Sequence, residues 1–195
     1  MVTMEKNIFE KYLGKRMLPQ EIKIDDSKSL VHEGLRYFIG DNAQWVKEYD
    51  DVCAWLSDNK RKGLLLYGTN GMGKTLICYC VIPVLLKELY RDIRIFKIRA
   101  NNLRELQQKS KDYYDFILSK VVFVDDFGTE SIANNFGEKR DMFSEVVDIA
   151  EQENKILVLT TNLTPKEILD RYGARTLDRL HAITTPICMQ GKSFR

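Results

Sequence analysis

The stretch best suited to chemistry is Gly-Thr-Asn-Gly-Met-Gly-Lys-Thr at residues 68–75, which fits the pattern G-x-x-x-x-G-K-[ST] without a mismatch. Its glycines let the backbone turn tightly, so successive N–H groups can surround an anionic phosphate. Lys74 adds a positive charge that can reach the β- and γ-phosphates of a nucleotide, and the Thr75 hydroxyl is suited to ligate Mg²⁺. The pattern therefore predicts a phosphate-binding loop, with nucleotide binding assigned to Gly68, Thr69, Asn70, Gly71, Met72, Gly73, Lys74, Thr75 and Leu76.

A second candidate site ends the apolar run Lys-Val-Val-Phe-Val-Asp-Asp-Phe-Gly at residues 120–128. Such runs are typical of buried parallel strands, and ligands bind beyond the carboxyl ends of these strands. We expect Asp125 to hold hydrated Mg²⁺ and Asp126 to polarise the water that attacks the γ-phosphate. Glu130 is a second candidate for activating that water.

Polar residues also end a third apolar run, Lys-Ile-Leu-Val-Leu-Thr-Thr-Asn at residues 155–162. Asn162 and Thr161 are candidates to sense the γ-phosphate or to orient water. The alternative is that they cap the next helix. Thr164, three residues before Glu167, suits a capping box better, which leaves Asn162 free for the site.

Alternating strands and helices must position these residues. Strands are predicted at residues 63–68, 92–98, 120–128, 155–162 and 184–190, and helices at 76–82, 101–114 and about 136–154. Pro83 should kink or end the helix that leaves the phosphate loop. We expect the strand before this loop and the strand that ends in Asp125 to be neighbours in a parallel sheet.

Composition bounds the class of protein. The 195 residues, of which 44% are hydrophobic, suit one globular domain, and the net charge of +2 gives no argument for a strongly basic nucleic-acid-binding coat. No apolar run could span a bilayer and no signal-peptide core is evident, so we expect a cytoplasmic protein without a membrane partner. Four cysteines without paired spacing predict small buried apolar side chains: Cys53, Cys78, Cys80 and Cys188.

Residues 1–62 are expected to form an N-terminal helical extension that packs on a core of residues 63–195. Trp45, Tyr49, Val52 and Leu56 recur at helical spacing, which is typical of a helix that covers a core. The alternative, that this region recruits a partner or encloses an adenine base, stays open.

Several of these segments together resemble the AAA+ ATPases of the DnaC/IstB type. The resemblance is carried by residues 68–75, 124–128, 160–163, 171–180 and 191–195. It implies an α/β fold, that of a P-loop NTPase of the additional-strand (AAA+) type, with a parallel five-stranded central sheet flanked by helices. It also implies ATP and Mg²⁺ as cofactors. The Asp126 position departs from the glutamate of many AAA+ proteins, so slow hydrolysis is expected.

The resemblance further implies a homo-oligomer. In that family, arginines spaced as Arg175 and Arg179 supply a finger to the nucleotide of a neighbouring subunit, where a guanidinium stabilises charge on the transferred phosphoryl group. Residue type alone also allows a solvated helix face that is partly salt-bridged through Asp178. Arg195 matches a basic sensor position of the family, and a flexible charged terminus is the alternative.

For biological role, the resemblance implies a DnaC-like helicase loader in DNA replication, with single-stranded DNA and a replicative helicase as partners. The segment before residue 63 is shorter than the helicase-binding region of most loaders. An IstB-like transposition helper and a nucleotide-dependent binding switch with little turnover are the alternatives. A small-molecule kinase is disfavoured, because no arginine-rich lid follows the apolar strands.

Overall fold

The computed structural model describes residues 20–106, 110–130, 134–135, 138–139 and 142–191. Its strands are β1 (Gly63–Gly68), β2 (Ile95–Arg99), β3 (Val121–Phe127), β4 (Asn134–Asn135), β5 (Glu138–Lys139), β6 (Ile156–Thr161) and β7 (Thr184–Met189). Its α-helices are α1 (Ser27–Ile39), α2 (Glu48–Ser57), α3 (Ile82–Leu89), α4 (Lys111–Leu118), α5 (Met142–Gln152) and α6 (Pro165–Ile183). Short 3₁₀ turns span Gly40–Asn42 and Ala100–Glu105, and a π-helix spans Leu76–Val81.

Five parallel strands form the main sheet in the order β2-β3-β6-β1-β7. This confirms the predicted five-stranded parallel sheet. The expectation that β1 and β3 are neighbours was wrong, because β6 lies between them. Every residue of β6 is buried, whereas β2 is only partly buried. A strand that is apolar along its whole length is best placed in the interior of a parallel sheet, and the half-polar strand at its edge.

Helices cover both faces of the sheet. On one face, α1, α2, the π-helix and α3 share a hydrophobic cluster with β1 and β7. On the other face, α4, α5 and α6 pack on β3 and β6. Residues of α1 and α2 such as Val31, Leu35 and Tyr49 are in the same cluster as Leu64 and Leu66 of β1. The described part of the N-terminal segment thus packs on the sheet, and the proposed boundary between residues 62 and 63 remains a prediction.

Three helices differ from their predicted bounds. The predicted helix at residues 101–114 is a 3₁₀ turn followed by α4, whose start is fixed by Ser110, since its hydroxyl accepts a hydrogen bond from the Tyr113 N–H. Helix α5 begins at Met142 rather than near residue 136, because β5 pairs with β4 just before it. Pro83 does not end the helix after the phosphate loop. It lies in the first turn of α3, where proline is tolerated.

Within the described ranges, no helix is long and apolar enough to cross a membrane, and no group of three or more His, Cys, Asp or Glu side chains could hold a metal ion. Cys53 and Cys78 are buried, as predicted. The same prediction was wrong for Cys80 and Cys188, which are partly exposed because they line cavities beside the phosphate loop.

Candidate nucleotide site

The phosphate loop joins β1 to the π-helix, and its backbone requires glycine at two positions. Gly68 has a φ of 116°, and a Cβ there would collide with the carbonyl oxygen of Met189 in β7. Gly73 has a φ of 79°, and a Cβ there would collide with the hydroxyl of Tyr49 in α2. The loop is thus held between β7, to which the Thr69 N–H donates at 2.9 Å, and α2. Positive φ and close approach together explain why these positions carry glycine.

Lys74 bends back over the loop that carries it. Its Nζ donates to the carbonyl oxygens of Gly68 and Thr69, both at 2.8 Å, and the side chain is almost fully buried. Burial lowers the pKa of Lys74, while the carboxylates of Asp126 and Asp125 act in the opposite direction. A bound phosphate would therefore compete with two neutral carbonyls for an ammonium group that the protein has already desolvated.

Asp125, at the end of β3, accepts hydrogen bonds from two hydroxyls. Thr75 Oγ1 donates to Asp125 Oδ1 at 2.9 Å, and Thr160 Oγ1 donates to the same oxygen at 2.7 Å. The predicted magnesium ligands Thr75 and Asp125 are therefore in direct contact. A hydroxyl and a carboxylate oxygen, completed by phosphate and water oxygens, are the ligands that Mg²⁺ prefers, so these residues fit the ion.

Asp126 is held in an unusual conformation beside the same threonine. Its φ is 59°, its N–H donates to Thr160 Oγ1 at 2.8 Å, and its carbonyl accepts a hydrogen bond from Thr129 Oγ1 at 2.8 Å. Asn162 Nδ2 donates to Asp126 Oδ1 at 2.9 Å. Burial and the adjacent Asp125 raise the pKa of Asp126, opposed by Lys74. A carboxylate with a raised pKa is a better proton acceptor than an ordinary aspartate.

Thr160 and Glu130 make contacts that the sequence analysis did not predict. Thr160 bridges both aspartates, although sequence reasoning singled out Thr161, whose hydroxyl instead donates to the Phe127 carbonyl at 2.6 Å. The sequence signals for Thr160 are its position at the end of an apolar strand and its place in residues 160–163, which carry part of the resemblance. The Glu130 carboxylate is buried and bonded to the Gly128 N–H at 2.7 Å and to the Tyr172 hydroxyl.

A cavity of about 680 Å³ brings the candidate residues together. This volume is in the range of small-molecule sites. Asn70, Gly71, Gly73, Lys74, Thr75, Leu76, Asp126, Thr160 and Asn162 line it at the phosphate loop, and Ile39, Gln44, Tyr49 and Cys80 complete its wall. Gly68 and Thr69 line a second cavity of about 550 Å³, together with Asn70 and Asn162. The Met72 side chain lies in the hydrophobic core, so only its backbone can face a phosphate.

The two arginines predicted as fingers lie on α6 and do not line the 680 Å³ cavity of their own chain. Arg175 is 73% exposed and lies 3.2 Å from Asp148 of α5. Arg179 is only 20% exposed and is ion-paired with Asp148 and, at 2.8 Å, with Glu151. These acids, rather than Asp178, are the salt-bridge partners. Arg195 lies outside the described residues.

Comparison with solved structures identifies the fold. The chain is similar to DnaI, with 22% identity, a TM-score of 0.52 and coverage of 69% of this chain and 73% of DnaI. It is similar to the DnaC helicase loader, with 16% identity, a TM-score of 0.56 and coverage of 86% and 93%. It is also similar to the replication initiator DnaA bound to AMPPCP and single-stranded DNA, with 16% identity, a TM-score of 0.52 and coverage of 68% and 41%. The fold is therefore that of a DnaC-like AAA+ P-loop protein.

Sequence comparison gives the family. No curated protein matches the chain. The family described as Novel STAND NTPase 3 matches residues 46–184, a span that begins before α2 and ends at the first residue of β7. It includes the phosphate loop, both aspartates of β3, Asn162 and the whole of α6. Because this match covers most of the sequence, the chain belongs to the Novel STAND NTPase 3 family.

Proposed function

We propose that this protein binds Mg-ATP in the cavity at the phosphate loop and hydrolyses it. The contact of 2.9 Å between Thr75 Oγ1 and Asp125 Oδ1 carries the proposal, since it joins the phosphate loop to the acidic end of β3. Thr75, the desolvated Lys74 and the Asp126 carboxylate line one cavity, and Asp125 is bonded to Thr75 beside it. Membership of an NTPase family and the likeness to nucleotide-bound DnaA support the same conclusion.

In this proposal each side chain has a distinct task. Lys74 leaves the loop carbonyls and binds the β- and γ-phosphates. Thr75 and Asp125 hold Mg²⁺, which supplies charge neutralisation at the phosphates. Asp126 accepts the proton of the attacking water, and Asn162, bonded to its carboxylate, fixes the position of that base.

The direct test measures ATP binding and phosphate release separately. Lys74→Ala should weaken ATP binding, whereas Asp126→Asn should retain binding and lose turnover. Asp170→Asn is a matched control, because it removes the same charge from an exposed position on α6. Tight binding of ATP without turnover in the unsubstituted protein would favour the binding switch over the enzyme.

We further propose that the protein acts as a homo-oligomer in which Arg175 and Arg179 of one subunit reach the nucleotide of the next. Arg175 is 73% exposed and would exchange only its contact with Asp148, while Arg179 would exchange its partners Asp148 and Glu151. The proposal predicts that turnover per subunit rises with protein concentration. Arg175→Ala should abolish that rise without weakening ATP binding, and retention of the full rise would contradict it.

For biological role, we propose a DnaC-like loader that binds single-stranded DNA and delivers a replicative helicase. The support is the likeness to the DnaC helicase loader along 86% of the chain and to DnaA bound to single-stranded DNA. The decisive experiment is co-elution of the protein with its host's replicative helicase in ATP, in ADP and with the Lys74→Ala variant. A complex that forms only in ATP and fails with the variant is the expected result. Absence of a complex in every state would overturn the loader proposal.

A further inference from the structure

The carboxylate of Glu130 is the centre of a buried contact between the loop after β3 and helix α6. It accepts hydrogen bonds from the Gly128 N–H at 2.7 Å and from the Tyr172 hydroxyl, and it lies 3.8 Å from Arg171 Nη2. Arg171 Nη2 also donates to the Glu130 carbonyl. The Glu130 side chain is 6% exposed. We call Glu130, Gly128, Arg171 and Tyr172 the Glu130 cluster.

Aromatic packing supports the Glu130 cluster from beneath. Phe127 of β3 stacks on Phe143 of α5 with ring centroids 4.2 Å apart and planes 11° apart. The Tyr172 ring contacts both, at 6.0 Å and 4.9 Å. Burial, followed by the hydrogen bond to Glu130, raises the pKa of Tyr172, so its hydroxyl keeps its proton and donates. Three elements therefore hold the Tyr172 hydroxyl in one position.

The proposed catalytic base, Asp126, lies at the end of β3, directly before this loop. Three residues lie between Asp126 and Glu130, and the Thr129 hydroxyl donates to the Asp126 carbonyl. Gly128 has a φ of 100°, and a Cβ there would lie 2.6 Å from Leu163 Cδ1, so the loop packs closely on the segment that enters α6. A shift of the Glu130 cluster would therefore move the backbone that holds the Asp126 carboxylate.

Helix α6 changes direction directly after the Glu130 cluster. Gly173 has φ 81° and ψ 166°, which are not helical, so α6 consists of two segments. The first segment, which carries Arg171 and Tyr172, is tied to the nucleotide site. The second segment carries Arg175 and Arg179, which contact α5. The Glu130 cluster is thus the last contact between the nucleotide site and the break that precedes these arginines.

We propose that Glu130 is a positioning residue that fixes the end of β3 bearing Asp126 and couples it to the first segment of α6. This inference rests on the proposed ATPase function and deepens it, since Glu130 is buried and does not line the 680 Å³ cavity. The Glu130 carboxylate is bonded to the Gly128 N–H in the loop after β3 and to the Tyr172 hydroxyl in α6. A movement of Asp126 on nucleotide binding is therefore transmitted through Glu130 to α6. The charge of Glu130 serves this contact rather than proton transfer.

The test compares Glu130→Ala and Tyr172→Phe with the control Asp170→Asn. Tyr172→Phe keeps the ring packed against Phe127 and Phe143 and removes only the hydroxyl, so it remains informative if Glu130→Ala does not fold. We expect each variant to lower kcat by about 10- to 100-fold, the loss expected when a catalytic group is displaced by about 1 Å. The dissociation constant for ATP should change by less than about twofold. The double variant should be no slower than Glu130→Ala alone, because both changes remove one contact.

A second measurement separates positioning from simple loss of stability. Amide hydrogen exchange is followed with and without a non-hydrolysable ATP analogue. In the unsubstituted protein, the analogue should slow exchange in residues 126–130 and in residues 165–172 together. In Tyr172→Phe the analogue should slow exchange only in residues 126–130.

The outcomes are distinguishable from failure of the proposed function. If the ATP analogue slows exchange in both segments of the unsubstituted protein but ATP is not hydrolysed, the ATPase proposal is wrong and the coupling through Glu130 stands. If the unsubstituted protein hydrolyses ATP and both Tyr172→Phe and Glu130→Ala have the same kcat as that protein, the ATPase proposal stands and the proposed role of Glu130 is wrong. Coupled protection that persists in Tyr172→Phe would also overturn it.

Discussion

Replacing Thr160 by valine should destabilise the protein and impair the nucleotide site at the same time. The Thr160 hydroxyl donates to Asp125 Oδ1 at 2.7 Å and accepts from the Asp126 N–H at 2.8 Å, and the residue is 2% exposed. Valine has nearly the same volume, so the change removes the two hydrogen bonds without creating a cavity. The Asp126 N–H is left without the hydroxyl acceptor that it has in the unsubstituted protein.

The magnitude follows from the two bonds. A hydrogen bond to a charged carboxylate contributes about 1.5–3 kcal/mol and a neutral one about 0.5–1.5 kcal/mol, so the free energy of unfolding should fall by about 2–4 kcal/mol. For a chain of this size, a loss of that order lowers the melting temperature by roughly 4–16 °C. Asp125 keeps its bond from Thr75, which favours the lower end of the range.

The assay is urea and thermal unfolding of the nucleotide-free protein, followed by ATP turnover at a temperature where the variant is folded. Thr160→Ser is the matched control, because it keeps the hydroxyl and loses only a methyl group. Thr160→Val should be less stable than Thr160→Ser and should turn over ATP more slowly. If the two variants agree within about 0.5 kcal/mol and have equal turnover, the hydroxyl bridge does not hold the two aspartates.

Three further changes test other parts of the structure. Asp126→Asn should stabilise the nucleotide-free protein near pH 7, since it removes a carboxylate charge that burial and Asp125 disfavour, as the raised pKa of Asp126 indicates. This gain in stability should disappear as the pH falls through that raised pKa, because the aspartate is then protonated and neutral. A gain that persists in acid would contradict this explanation. Asn59→Ala should lower the free energy of unfolding by about 2–4 kcal/mol, because the buried Asn59 amide makes four hydrogen bonds that tie residues 20–22 to the start of β1. Asn101→Ala, at an exposed position, is the control. Gly173→Ala should lower the free energy of unfolding by about 1–3 kcal/mol through backbone strain alone, since a Cβ there meets no atom within 4 Å. Unchanged unfolding in urea would argue against the break in α6.

Local patterns were the part of the fold that could be predicted. The capping box of α6 is confirmed, with Thr164 and Glu167 each bonded to the other's backbone. The buried strands β1, β3 and β6 lie where continuous apolar runs predicted them. These features depend on residues a few positions apart, whose types alone determine their conformation. Helix bounds were less predictable, since a cap at Ser110 and the β4–β5 pair interrupt patterns that periodicity alone would continue.

The sequence by itself determined the chemistry available to this protein: a glycine-rich loop with Lys74 and Thr75, and a pair of carboxylates at the end of a buried strand. Only the tertiary structure decided which side chains share a site. The insertion of β6 between β1 and β3 brings Thr160 against Asp125, and α6 returns to bring Tyr172 against Glu130 across 42 positions of sequence. Neither contact has a local signal, because it depends on strand order and helix packing, which the whole hydrophobic core selects.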